Sequence, residues 1–139
     1  MVFARAYLFG PESNPEEEKR RLSATNPGFM VQAVRAAPHT NEFFLEMLAA
    51  QTFQAESSVN LLAKKPEIDF LLRLAGTTQI ADAIRVAGAR GGEPFIVVAA
   101  GGSEVNGGRL GRHELRRREL SKTDLRRVEK AALLNTRRS

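Results

Sequence analysis

Residues 102–109 (GSEVNGGR) come nearest to a chemical motif in this 139-residue chain. A phosphate-binding loop needs glycine amides to cradle phosphates, a lysine to reach them and a hydroxyl to hold magnesium. The glycine spacing is present at Gly102 and Gly107, but Gly108 stands where the lysine belongs and Arg109 where the hydroxyl belongs. Asn106-Gly107 is also a hairpin-turn pair. The glycine-rich segment 101–111 therefore keeps two readings, a nucleotide-binding loop of a small enzyme or a hairpin tip. The two histidines, His39 and His113, have no carboxylate at ligand spacing, so no metal site is expected. Cysteine is absent, which removes disulfides and thiol chemistry. Glu16, Glu17 and Glu18 are consecutive and point in different directions on a helix. They suit the positive end of a helix dipole better than an acid–base pair.

A second candidate is the turn in LAGTTQIADAIRVAG, residues 74–88. An apolar run stops at Gly76, Thr77 and Thr78 follow, and an amphipathic pattern begins at once. The amides around Thr77–Gln79 form a helix N-terminus, which attracts phosphate. The threonines could equally be plain helix caps. Gln79 can both donate and accept hydrogen bonds.

The elements that must position these residues follow from periodicity and punctuation. Residues 4–9 (ARAYLF) read as a strand ended by Gly10-Pro11. Asn14 caps a helix with Pro15 at its first position. Residues 29–36 (FMVQAVRA) form a second strand. Thr40 or Asn41 caps a long helix through about Ser57, with Phe43, Phe44, Met47, Leu48 and Ala50 on its apolar face. After Pro66, residues 68–75 (IDFLLRLA) read as a strand, with Leu71 spoiling the alternation. Ile80, Ala83, Ile84 and Ala87 then lay one helical stripe on the sheet, ended by Gly88. Residues 95–100 (FIVVAA) make a buried strand. Ser121 and Asp124 open a capping box for a terminal helix whose face carries Leu125, Val128 and Ala132. The expected fold is a single α/β (α+β) domain over residues 1–139, a mostly antiparallel sheet of about four strands packed against several helices.

Charge divides the chain. Residues 1–100 carry a net of −1 and residues 101–139 a net of +6. The basic segment 109–139 suits nucleic acid, an acidic protein face or plain solvent, and it would serve a general RNA-binding module. It has no interleaved aromatics for base stacking. No apolar run nears the roughly 20 residues that cross a bilayer, and the N-terminus lacks a signal-peptide layout. A cytoplasmic protein is expected.

The run from Asn60 to Gly88, with Lys64, Lys65, Glu67, Gly76, Gln79, Ile80, Ala83 and Ile84, resembles the PRPK-binding protein family, archaeal type. These are small accessory subunits of the KEOPS complex. Val31-Gln32-Ala33 and the apolar strand 95–100 resemble the family's neighbouring elements, so the likeness covers most of residues 30–101. Where the family commonly carries arginine before Gln-Ile, this chain has Thr78, with Arg73 and Arg85 nearby.

The resemblance implies a subunit that is not an enzyme and needs no cofactor. It implies binding and stimulation of the atypical kinase/ATPase subunit and binding of tRNA, including its 3′ CCA end. The complex, which also contains the threonylcarbamoyl transferase subunit, modifies the adenosine beside the anticodon. Carried onto this sequence, the tRNA contacts fall on Lys64, Lys65, Arg73, Thr77, Thr78, Gln79, Ile80 and Arg85. Kinase contacts fall on the terminal helix at Leu125, Val128 and Ala132.

Overall fold

The computed structural model describes residues 2–36, 41–57, 65–108 and 110. Its element order is β1 (Phe3–Phe9), α1 (Pro15–Thr25), β2 (Met30–Arg35), α2 (Glu42–Ser57), α3 (Pro66–Ala75), α4 (Ile80–Ala87) and β3 (Phe95–Gly101). The three strands form one antiparallel sheet in the order β1-β3-β2. The last strand in sequence is thus the middle one. It pairs Phe3 with Gly101 and Phe9 with Phe95 on one side, and Met30 with Ala100 and Arg35 with Phe95 on the other.

That position explains the composition of β3. A strand covered on both faces reads as a continuous apolar run rather than an alternation, and every residue of β3 is buried. Ile96, Val98 and Ala100 face Leu45, Leu48, Phe70 and Leu72 from the helical layer. Phe95, Val97 and Ala99 face the opposite way, toward Leu22 of α1, and Phe95 stacks on Phe9 at a centroid distance of 5.1 Å.

Several helix ends follow their local chemistry. Asn14 Oδ1 accepts from Glu17 N at 3.1 Å, with Pro15 at the first helical position. Glu17 and Glu18 both pair with Arg21, so this acidic cluster is a helix-stabilising network. Asn41 Oδ1 accepts from Phe44 N at 3.1 Å and opens α2. The free edge of β2 is blocked by its own side chain. Gln32 Oε1 accepts from Ala33 N at 2.9 Å, while its Nε2 donates to Glu67 O at 3.0 Å and ties the edge to α3.

Three sequence-based expectations need correction. Residues 68–75 are not a strand but lie in α3, which leaves three strands among the described residues instead of about four. An apolar run this short suits either period, and the flanks decide. Pro66 stands at the first helical position, Glu67 and Asp69 in the first turn, Arg73 in the last, and Gly76 closes the helix in a left-handed conformation at φ 69°. Each is a helix signal.

The second correction concerns α4. Ala83 is fully buried and Ala87 nearly so, but Ile80 and Ile84 remain 49% and 50% exposed. The helix approaches its neighbours along its two alanines, and their small size brings the backbone close while the isoleucines stand at the rim. Gly88 ends α4 with an extended conformation, φ −66° and ψ 143°, so left-handedness is not its role. A Cβ there would lie 2.6 Å from Ile84 O, and Gly88 instead bridges to Val34 of β2.

The third concerns the threonines. Gln79, not Thr77 or Thr78, is the N-cap of α4, and its side chain makes no capping bond. Thr77 Oγ1 accepts from Gln79 N at 3.1 Å, one step before the helix begins. The terminal capping box and its helix lie outside the described residues.

Candidate functional site

The turn 76–79 is held from below. Gly76 N and Thr77 N both donate to Leu72 O, at 2.9 and 3.1 Å, so α3 closes tightly and hands the chain to the turn. Only glycine enters this left-handed closure without the penalty of about 1–2 kcal/mol that a Cβ brings. Thr77 then fixes Gln79, and α4 starts in a new direction with Gln79 and Ile80 exposed.

This arrangement separates the expected contact residues into two groups. Lys65 is exposed at the start of α3, while Thr77, Thr78, Gln79 and Ile80 lie beyond its end. Ten helical residues span about 15 Å, where the same residues as a strand would span about 33 Å. Helix formation therefore draws the two groups to about half the separation a strand would give. Lys64 lies outside the described residues, as do Leu125, Val128 and Ala132.

The arginines differ sharply. Arg73 Nε donates to Asp69 Oδ2 at 2.6 Å, its side chain only 11% exposed and the aspartate fully buried. Its charge supports the interior of α3 rather than a displayed surface. Arg85 is 68% exposed and meets Asp82 only at 3.5 Å, so its guanidinium is on display. Arg90 donates to Arg85 O at 2.7 Å and keeps a second cation beside it.

Ile84 and Val86 were not among the expected contact residues. They are 50% and 48% exposed, and with Ile80 they give a helix of eight residues three large apolar side chains at the surface. The signal was the pairing of isoleucine with alanine on one stripe. When the buried contacts go to alanine, the isoleucines are left for something else.

The glycine-rich loop is committed elsewhere. Asn106 N donates to Asn26 Oδ1 at 2.7 Å, and Asn106 O accepts from Asn26 Nδ2 at 2.9 Å and from Thr25 Oγ1 at 3.3 Å. Gly108 N donates to Asn106 Oδ1, and Leu110 N to Gly107 O. Asn106 N thus latches the loop onto the end of α1, while Gly108 N and Leu110 N are used within the loop rather than aimed at a phosphate. The adjoining cavity of about 450 Å³ is lined by Leu22, Ala24 and Leu110 together with Glu18, Arg21 and Thr25, and Arg21 is already paired with Glu17 and Glu18. Among the described residues there is no group of three or more His, Asp or Glu able to hold a metal ion. No described helix is long and apolar enough to cross a membrane.

No family model matches the chain. Over 82 residues it is 40% identical to the KEOPS complex subunit Cgi121 of Pyrococcus abyssi. The match takes in 59% of this chain but only 45% of that relative, so the chain spans less than half of the relative's length.

Proposed function

We propose that this chain is a KEOPS accessory subunit of the Cgi121/PRPK-binding protein family that binds tRNA and the kinase/ATPase subunit, a reading supported by its 40% identity over 82 residues to the KEOPS complex subunit Cgi121. In this reading the subunit performs no chemistry itself. It holds tRNA, including the 3′ CCA end, and stimulates its kinase partner, in support of threonylcarbamoylation beside the anticodon.

The observation that carries the RNA side is the surface around the 76–79 turn. Ile80 and Ile84, one helical turn apart and about half exposed, share a face of α4, which also displays Gln79 at its start and Arg85. Single-stranded RNA ends are recognised by apolar contact to unstacked bases, hydrogen bonds to base edges and cations on the phosphates. This patch offers all three on one short helix. Covering the exposed half of one isoleucine is worth roughly 1 kcal/mol. Thr78 supplies no charge at the turn, so Arg85 and Lys65 carry the phosphate contacts. Kinase contacts are assigned to Leu125, Val128 and Ala132, whose apolar seam suits helix docking.

The test is a titration of labelled tRNA, full-length and with the CCA end removed, together with a pull-down of the kinase subunit. Binding of the intact tRNA that weakens on trimming, and that Ile80→Glu abolishes without unfolding the protein, is the expected result. Equal binding of both RNAs, or none of either at micromolar concentration and moderate salt, refutes the RNA reading. Failure to retain the kinase refutes the other half.

A further inference from the structure

At the other end of α3 from the turn, the edge of β2 forms the floor of a groove of about 500 Å³ between α1 and α3. Lys19 and Ser23 line it from α1, Val31 and Gln32 from β2, and Lys65, Glu67 and Ile68 from the start of α3 and its cap. Lys19 and Ser23 are four residues apart and so share one face of their helix. The floor is rigid, because Gln32 is buried and both ends of its amide are hydrogen-bonded.

The charges of this groove are not balanced. Neither lysine forms an ion pair among the described residues, although Glu67 lines the same space. Elsewhere on α1 the charges do pair, Arg21 taking both Glu17 and Glu18. Two like charges facing one groove repel each other, and an anion between them reverses the sign of that interaction. The start of α3 adds little, since Pro66 has no N–H and Ile68 and Asp69 both donate to Lys65 O. The side chains must therefore supply the affinity. Two ammonium groups and a hydroxyl against one carboxylate, with no aromatic ring beside the apolar Val31 and Ile68, fit a phosphodiester rather than a base.

We infer that this groove is a second phosphate subsite of the RNA surface, in which Lys19 and Ser23 join Lys65 on the RNA backbone. The inference rests on the tRNA reading above and extends it from the turn, around the start of α3, to α1. Lys65 belongs to both stretches, and α3 sets their separation at about 15 Å. The RNA strand then passes over one end of α3 and reaches the other with its 3′ end.

The experiment measures tRNA binding by fluorescence anisotropy across a potassium chloride series. It compares the unmodified protein with Lys19→Gln, Lys65→Gln, Glu67→Gln and, as a control outside the groove, Arg35→Gln. Each lysine variant should weaken binding several-fold and flatten the plot of log affinity against log salt by about 0.7 to 0.9. Glu67→Gln should tighten binding, because it removes the one carboxylate while its backbone carbonyl still holds Gln32. Arg35→Gln should change neither. Circular dichroism melting confirms that all variants are folded. If the unmodified protein binds tRNA and Lys19→Gln matches it in affinity and slope, the groove proposal fails and the turn-centred reading stands. If the unmodified protein binds no tRNA, both fall together. Displacement of tRNA by inorganic phosphate at constant ionic strength, without loss of effect in Lys19→Gln, would assign the contact away from the groove.

Discussion

Replacing Arg73 by methionine keeps an unbranched chain in place but removes the guanidinium whose Nε lies 2.6 Å from Asp69 Oδ2. Asp69 is fully buried, so its carboxylate would lose a close counter-charge in a site that water does not reach. Removing one partner of a buried ion pair costs about 3–5 kcal/mol. Both residues hold a further interaction, which puts the expectation near the lower bound, about 3 kcal/mol. Domains of this size are stable by about 5–15 kcal/mol, so the loss is large. With a urea slope of roughly 1.5–2 kcal/mol per molar, the unfolding midpoint should fall by about 1.5–2 M. The double variant Asp69→Leu/Arg73→Met removes both charges and should recover most of that loss. Urea unfolding followed by circular dichroism reads the unmodified protein, Asp69→Leu, Arg73→Met and the double variant. A single Arg73→Met variant that loses less than about 1 kcal/mol, or a double variant no better than the sum of its singles, would refute the view that this pair is desolvated and coupled. Retention of tRNA binding by the stable double variant would further assign Arg73 to the support of α3.

Gly76→Ala should cost about 1–2 kcal/mol, because φ 69° is strained for a residue with a Cβ; Gly76→Asn should cost less in the same urea assay. Asn26→Ala breaks both hydrogen bonds to Asn106 and should lower stability by about 2 kcal/mol, with faster amide exchange at Asn106 as the direct sign of the released loop. Leu48→Ala, at a fully buried position, should cost about 2–5 kcal/mol. Ile84→Ala, half exposed, should cost less than about 1 kcal/mol while weakening tRNA binding. Similar losses in stability for the last two would show that Ile84 is a core residue.

Much of this architecture was legible from local chemistry. Asn14 and Pro15 mark the start of α1, and the unbroken apolar run 95–100 identifies a strand covered on both sides. Residues 68–75 were misread because Ile68, Phe70, Leu72 and Leu74 do alternate. Leu71 broke that alternation, and the proline, acids and terminal glycine around it were the better guide. The site was legible in part. Gln79 and Arg85 are exposed, Ile80 is exposed although its stripe was expected to lie on the sheet, and Arg73 is turned inward to Asp69.

By itself the sequence determined that Asn14 and Pro15 open α1, that the apolar run before Gly76 stops there, and that no cysteine chemistry is available. Those properties depend on side chains within a few positions of one another. Only the tertiary structure decided that the last strand sits in the middle of the sheet, that Ala83 and Ala87 meet the core while Ile80 and Ile84 do not, and that Asn26 latches a loop eighty residues away. It also brought Lys19 of α1 and Lys65 of α3 to one groove. Such outcomes are set by which surfaces pack together. A helix's periodicity identifies its apolar stripe, but the neighbour it packs against decides how much of that stripe is buried.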